Sequence, residues 1–293
     1  MNRALLAITQ AYEKYKWDIS HKDKLSCALS FILHISMLVC GAMFVFVIGY
    51  ILLNGIQHIH INLFEWEYTT QNVSMLPAII NTITIVFISL LLAIPIAIFG
   101  AIFLEEYTHS QSRLVRLIVL AIETLAGIPS IVYGLFGYLA FVVYCGFVLS
   151  LLSGALTLAI MVLPLILRNT QEAIRAVPHT YKEASLGLGA SLLRTIFVVI
   201  LPCAMSGIVA GIVLSVGRIV GESAALLYTA GSVAQIAGLY DSSRTLSVHM
   251  YALLSEGQYM EQAYASAVIL LLIVIGINTL SHILAAYLNP YKH

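Results

Sequence analysis

Charge is what this chain has least of. Of its 293 residues 10% are charged and 60% are hydrophobic, whereas a soluble domain carries about 25% charged residues. That leaves too little polar surface to cover a globule in water, so the composition points to a polytopic membrane protein. The charges that exist sum to a formal net of zero, which argues against nucleic acid as a partner. Signatures of catalysis and nucleotide binding are missing as well. There is no GxxxxGK[ST] loop, and the dipeptide Gly-Lys does not occur at all. Uphill transport driven by ATP would therefore need the nucleotide on another chain. No HExxH zinc motif is present, and "GESAA" at 221–225 fails as a nucleophile elbow because Ala225 stands where the second glycine belongs. The four cysteines, Cys27, Cys40, Cys145 and Cys203, form no CxxC or Cys/His cluster. They read as small buried hydrophobes, and neither a metal nor a cofactor is expected on this chain. The first 24 residues are polar and basic with no apolar core, so a cleaved signal peptide is not expected.

What is present is long apolar runs. A spanning helix needs about 20 predominantly apolar residues, and six stretches qualify: 29–53, 77–104, 114–144, 147–167, 203–229 and 263–288. The third contains "GIPS" at 127–130, where proline removes a backbone donor and predicts a kink or break. Such a break survives in a membrane only under cover of protein or a water-filled cavity. Twelve of the 14 Lys and Arg residues fall on one side of this pattern: the N-terminal tail (Arg3, Lys14, Lys16, Lys22, Lys24), Arg113 and Arg116, the segment 168–202, and Lys292. The positive-inside rule places that side, with both termini, in the cytoplasm. Loops 54–76 and 230–262 then face outward. Glu65, Glu67, Asp241 and Arg244 on them are docking charges or simply solvated loop surface.

Charges inside the runs are informative because each costs roughly 2.5–3.5 kcal/mol at a span centre. Arg218 and Glu222 lie four apart, so on a continuous helix they share a face and pair. One reading makes the pair a fastener between helices. The other puts Arg218 on a solute path, its planar guanidinium meeting two oxygens of an oxyanion while Glu222 holds it and helps release the anion. Arg168, at the inner end of the fourth run, either snorkels to headgroups or sits at the inner mouth of that path. Glu123, just before the break, is a buried partner of Arg168 or Arg218, or touches solute itself. His34 reads as packed rather than as a proton relay, and Tyr133, Tyr138 and Tyr144 as interfacial or packing aromatics. Gly207, Gly211, Gly217 and Gly221 give two GxxxG spacings, suited to close helix packing within the chain or between chains.

The segment 168–202, "RNTQEAIRAVPHTYKEASLGLGASLLRTIFVVILP", predicts short helical pieces at 172–177 and 181–186 around Pro178. A short helix on a membrane face can seat in a partner's groove. Within it Glu183, Ala184 and Ser185, then Gly189, then Leu201 and Pro202, resemble the EAA loop of ABC-importer permeases in residue type and spacing. Ser185 replaces the third alanine and Val199 an isoleucine, both mild departures. "ETLAGIPSIVYGLFGYL", "LPLILRNTQEAIRAVP", "GRIVGESAALLYTAG" and "RTLSVHMY" narrow the resemblance, over most of the chain from about residue 77, to the permeases of phosphate-specific ABC importers.

The resemblance implies an all-α, six-span, MetI-like permease fold in a bacterial inner membrane, with a tail at 1–28, a transmembrane domain at 29–293 (core about 77–288) and a coupling loop at 168–202. It implies a half-pore that pairs with a sister permease, couples to an ATPase dimer holding ATP and Mg2+, and receives phosphate from an extracytoplasmic phosphate-binding protein. It also associates the Arg218–Glu222 pair with phosphate passage, Arg168 and Glu123 lying on the same path. The alternatives are a permease for another oxyanion, a self-sufficient anion carrier or channel, and an intramembrane enzyme using Glu123 or Glu222, which lacks a second catalytic group.

Overall fold

The computed structural model describes residues 24–108 and 113–287. Arg3, Lys14, Lys16, Lys22 and Lys292, on which part of the orientation argument rests, lie outside the described residues. So does the side chain of Cys27. Among the described residues every regular element is helical. The chain divides into two units, residues 1–53 and 54–293.

Helix α1 (Lys24–Gly55) belongs to the first unit except for its last two residues, and its 32 residues reach about 48 Å, ample for a hydrocarbon core of about 30 Å. It starts within the stretch expected to be tail. Its apolar side chains point all round, with Phe31, Leu33, Met37 and Phe44 exposed, a distribution suited to lipid and not to water. His34, expected to be packed, is exposed, with Nδ1 2.6 Å from the Ser30 carbonyl one turn back. Cys40 is exposed too, and so is Cys145 in the second unit, against the expectation of buried thiols.

The second unit is organised around α5 (Leu151–Arg175), in which 67% of the apolar window is buried, against 33% for α2 (Leu76–Tyr107) and 28% for α7 (Leu192–Val220). Ala93, Ala97 and Ala101 on α2 recur every four residues, so they share one face, and all three are buried in the core cluster with α5 residues Leu158, Val162 and Ile166. Small side chains let the two backbones come close, close enough for the Ser89 hydroxyl to donate to the Ala155 carbonyl at 3.0 Å. On α7, a Cβ added to Gly207 or Gly211 would stand 2.6 Å from Ala173 or Asn169 of α5. The first GxxxG spacing therefore packs within the chain, while Gly217 faces open space.

Two expected spans are broken. The stretch 114–144 becomes α3 (Arg113–Ala126) and α4 (Ser130–Tyr144), bent by 105° at the Gly-Ile-Pro sequence. The buried Tyr133 hydroxyl donates to the Leu125 carbonyl at 2.7 Å, partnering a carbonyl of the last turn of α3 that the proline break leaves outside the helix ladder. Tyr138 and Tyr144 are exposed. The fifth run starts earlier than expected, at Leu192, and ends at Val220 instead of 229. A separate short helix, α8 (Ala224–Thr229), follows. With α10 (Met260–Tyr287), five helices among the described residues are long and apolar enough to cross a membrane, or six if the bent pair is one span.

The loops 54–76 and 230–262, expected to face outward, are structured. Helix α9 (Leu246–Glu256) stops at Gly257, whose φ of +70° suits glycine. Asn81 of α2 ties the preceding loop down: its side-chain amide donates to the carbonyls of Gln235 (2.8 Å) and Arg244 (3.2 Å), and its oxygen accepts from the Ala237 amide (3.1 Å).

Candidate functional site

The break after Val220 decides the geometry of the Arg218–Glu222 question. Four-residue pairing requires a continuous helix, and Glu222 lies beyond the end of α7. Its carboxylate instead accepts the Ala225 backbone N–H at 3.0 Å, capping α8, and its carbonyl accepts the Ser247 hydroxyl at 2.6 Å. Glu222 is 9% exposed. The expected ion pair is not formed. Arg218 is left in the last turn of α7, half-buried, its guanidinium making no hydrogen bond or ion pair with any described residue. The helix-terminal carbonyls offset about 0.3–1 kcal/mol for a cation in this position, which is less than an arginine within a span costs. Chemically, the site offers a planar guanidinium whose N–H groups no carboxylate among the described residues engages.

The other two path candidates lie apart from each other's expected partners. Arg168 is exposed and its Nε reaches Glu172 Oε1 at 3.2 Å, an i,i+4 pair on the surface of α5. Glu123, expected to be buried against Arg168 or Arg218, is exposed instead. It lines a cavity of about 600 Å³ with Glu105, Arg116, Gln171 and Arg175.

Helix α6 (His179–Gly187) occupies the middle of the 168–202 segment and carries Glu183, Ala184 and Ser185. The expected piece at 172–177 is mostly the end of α5, so one short helix stands where two were expected. Gly189 has φ +84°, a backbone that side chains rarely adopt, as the chain folds back after α6 with Ala190 N–H on the Ser185 carbonyl at 3.2 Å. Leu201 and Pro202 continue α7 just after a π-turn at Ile196–Ile200, which accommodates the missing proline donor. Glu183, Ala184, Leu186 and Leu188 are exposed.

Sequence reasoning passed over Glu105 and Glu106, in the π-turn that ends α2. Glu105 takes Arg175 Nη2 at 2.7 Å and Gln171 Nε2 at 2.9 Å; Glu106 takes Lys182 Nζ at 2.5 Å. Two adjacent acids opposite a basic loop were the available signal.

In the loops expected to face outward, two of the candidate docking charges are engaged within their own loops. Glu65 accepts from Asn72 at 2.7 Å, and Asp241 from the Gly238 amide at 3.0 Å. Arg244 is half-buried, donating to the Ser232 carbonyl at 2.6 Å and standing 5.5 Å over the Tyr68 ring. His249 packs edge-on to the same ring and is fully buried. Burial, and then the Arg244 charge, push its pKa down to about 4, so it is neutral near pH 7.

A family model for the inner membrane component of binding-protein-dependent transport systems matches residues 93–292. The chain belongs to this family. It is 33% identical over 240 residues to a probable ABC transporter permease protein, YqgI of Bacillus subtilis, covering 75% of this chain and 80% of that one. It is 37% identical over 154 residues to the phosphate transport system permease protein PstA 1 of Mycobacterium tuberculosis (53% of this chain, 50% of the relative). With PstA of Mycobacterium leprae the identity is 31% over 195 residues (65% and 64%). The chain thus spans about half to two thirds of these PstA relatives. A bacterial alginate ABC transporter structure superposes with TM-score 0.65 at 16% identity, covering 92% of this chain and 99% of that one. The MetNI methionine ABC transporter, inward-facing, gives 0.59 at 20% identity (71% and 93%). At those identities the structures establish the permease fold alone.

Proposed function

We propose that this chain is a permease subunit of an ATP-driven phosphate importer, forming half of the translocation path. The observation that carries the reading is Arg218: a half-buried guanidinium at the end of an apolar helix, without a carboxylate partner among the described residues, in a family whose PstA members share 31–39% identity with this chain. A planar cation with free N–H edges suits a tetrahedral oxyanion, and release stays easy when one such residue, not a cage, makes the contact. Glu222 shapes the turn that presents Arg218. Arg168 and Glu123 serve the inner mouth, where Arg168 meets the anion after it leaves Arg218 and Glu123 lines the exit.

The remaining assignments rest on the same reading. Both termini face the cytoplasm, on the charge asymmetry of the loops. A sister permease completes the pore, and an extracytoplasmic phosphate-binding protein delivers to the face formed by α9 and its loops. An ATPase dimer, holding ATP and Mg2+, docks on the exposed side of α6 around Glu183 and Ala184, held in place by the turn at Gly189 and the start of α7 through Leu201 and Pro202.

Labelled-phosphate uptake at low external phosphate tests this, in cells carrying the native chain, Arg218→Gln, or no copy, with membrane levels checked by blot. Uptake restored by the native chain and not by normally inserted Arg218→Gln is the expected result. Restoration by both would keep phosphate and remove Arg218 from the path. No effect of the native chain with its partners present would overturn the phosphate assignment and leave another oxyanion as the solute.

A further inference from the structure

We propose that the Glu106–Lys182 ion pair is the link through which the coupling helix α6 moves α2, a positioning role that rests on the transport reading above. The two acids of the α2 π-turn divide their work. Glu105 binds the end of α5, taking Arg175 through Nη2 at 2.7 Å and Nε at 2.9 Å, with Gln171 adding a third donor at 2.9 Å. Glu106 binds α6 itself, through Lys182 at 2.5 Å. A π-turn opens the helix by one residue per turn, and here neighbouring residues both reach the corner where α5 gives way to α6. The Glu106 side chain is 7% exposed and that of Lys182 30%. A carboxylate so nearly buried cannot part from its ammonium without being left unpaired where water barely reaches, so α6 cannot shift far without carrying the end of α2 along.

A second attachment makes α6 a lever instead of a loose flap. Lys182 and Ser185 lie three apart and therefore on one face of α6. The Ser185 hydroxyl is 2.9 Å from that of Thr195, which is fully buried in the first turn of α7. The serine that departs from the family alanine thus supplies a polar tie. Glu183, Ala184 and Leu186 remain exposed. One face of α6 is open to a partner while the other is tied to α2 by an ion pair and to α7 by a hydroxyl pair. α2 leads into the alanine-lined contact with α5, and α7 leads to Arg218.

The test uses the complete assembly with its ATPase and binding protein, reconstituted in vesicles. Phosphate uptake and ATP hydrolysis are measured in the same preparation for the native chain, Glu106→Gln, Lys182→Met, and the exchange Glu106→Lys with Lys182→Glu. Each single variant is expected to move about tenfold less phosphate per ATP while retaining its co-purified ATPase, and the exchange to recover most of that loss. A native ratio in both single variants would overturn the proposal. So would an exchange variant that restores assembly but not the ratio, since a merely structural pair would be rescued in assembly alone. If a single variant does not assemble, the exchange and Lys182→Arg, which keeps the charge, carry the decision by the same ratio. If the native assembly moves no phosphate, the substrate reading fails by itself. The link is then judged by stimulation of ATP hydrolysis by the binding protein, present in the native assembly and lost in the single variants if the proposal holds, and overturned if they keep it.

Discussion

Replacing Glu222 by glutamine and by alanine separates two roles that its position allows. The carboxylate accepts the Ala225 N–H at 3.0 Å and is 9% exposed. If capping is its work, an uncharged acceptor of the same length keeps most of it. Charge-assisted bonds are about twice as strong as neutral ones, and a net hydrogen bond contributes roughly 0.5–1.5 kcal/mol, so Glu222→Gln should lose about 0.5–1 kcal/mol. Alanine leaves a buried donor unsatisfied and opens space beside α8, which should cost about 1.5–3 kcal/mol. Thermal unfolding midpoints of the purified assembly, read alongside phosphate uptake, give the comparison. Glutamine is expected to fall well short of the alanine loss and to keep Arg218-dependent uptake. Equal destabilisation by both would refute the argument, because it would mean that the negative charge holds this turn. The pairing with Arg218 would then be restored as its function.

Gly211→Ala and Gly217→Ala make the same change on one helix with opposite expectations: the first puts a Cβ 2.6 Å from Asn169 and should cost about 1–3 kcal/mol, the second meets nothing within 4 Å and should be neutral or gain up to about 1 kcal/mol of helix propensity. Comparing their thermal midpoints checks both, and equal values would mean that α5 and α7 do not approach as described. His249 titrates near 4 when folded, below its ordinary 6.5; above 6.5 it is neutral in both states, and as pH falls towards 4 the unfolded chain takes the proton first. Stability should therefore fall by up to about 3 kcal/mol across that window, and His249→Phe should flatten this part of the profile, which an unchanged slope in the variant would contradict.

The spans were legible because the bilayer demands about 20 apolar residues in a row, and a chain with this little charge has few ways to hide them. The break at 127–130 was legible for a similar reason, since Pro129 has no donor to continue a helix. Its 105° angle was not, because it depends on how α4 packs between α5 and α8: a Cβ on Gly134 would sit 2.8 Å from Ala225, and one on Gly137 2.1 Å from Thr157. Glu105 and Glu106 escaped for a different reason. Their partners Arg175 and Lys182 lie 70 and 76 residues further along, and no local pattern records such distances.

The end of α7 shows where local rules fail. Arg218 and Glu222 satisfy the i,i+4 spacing, and hydropathy carries straight across them, so spacing and hydropathy both argued for one helix with one ion pair. The spacing rule, however, presumes the helix whose existence it was used to support. Gly221 lowers helix propensity by about 1 kcal/mol, Glu222 has a competing bond to the Ala225 amide, and Ser247 of α9 holds the Glu222 carbonyl from outside. Together these outweigh continuation of the helix, and only the first can be seen from the local sequence. The consequence is functional as well as structural. A helix break spends the carboxylate on a backbone amide and leaves the guanidinium without one, so on the proposed transport reading the charge that looked neutralised in the sequence is the one available to an anion.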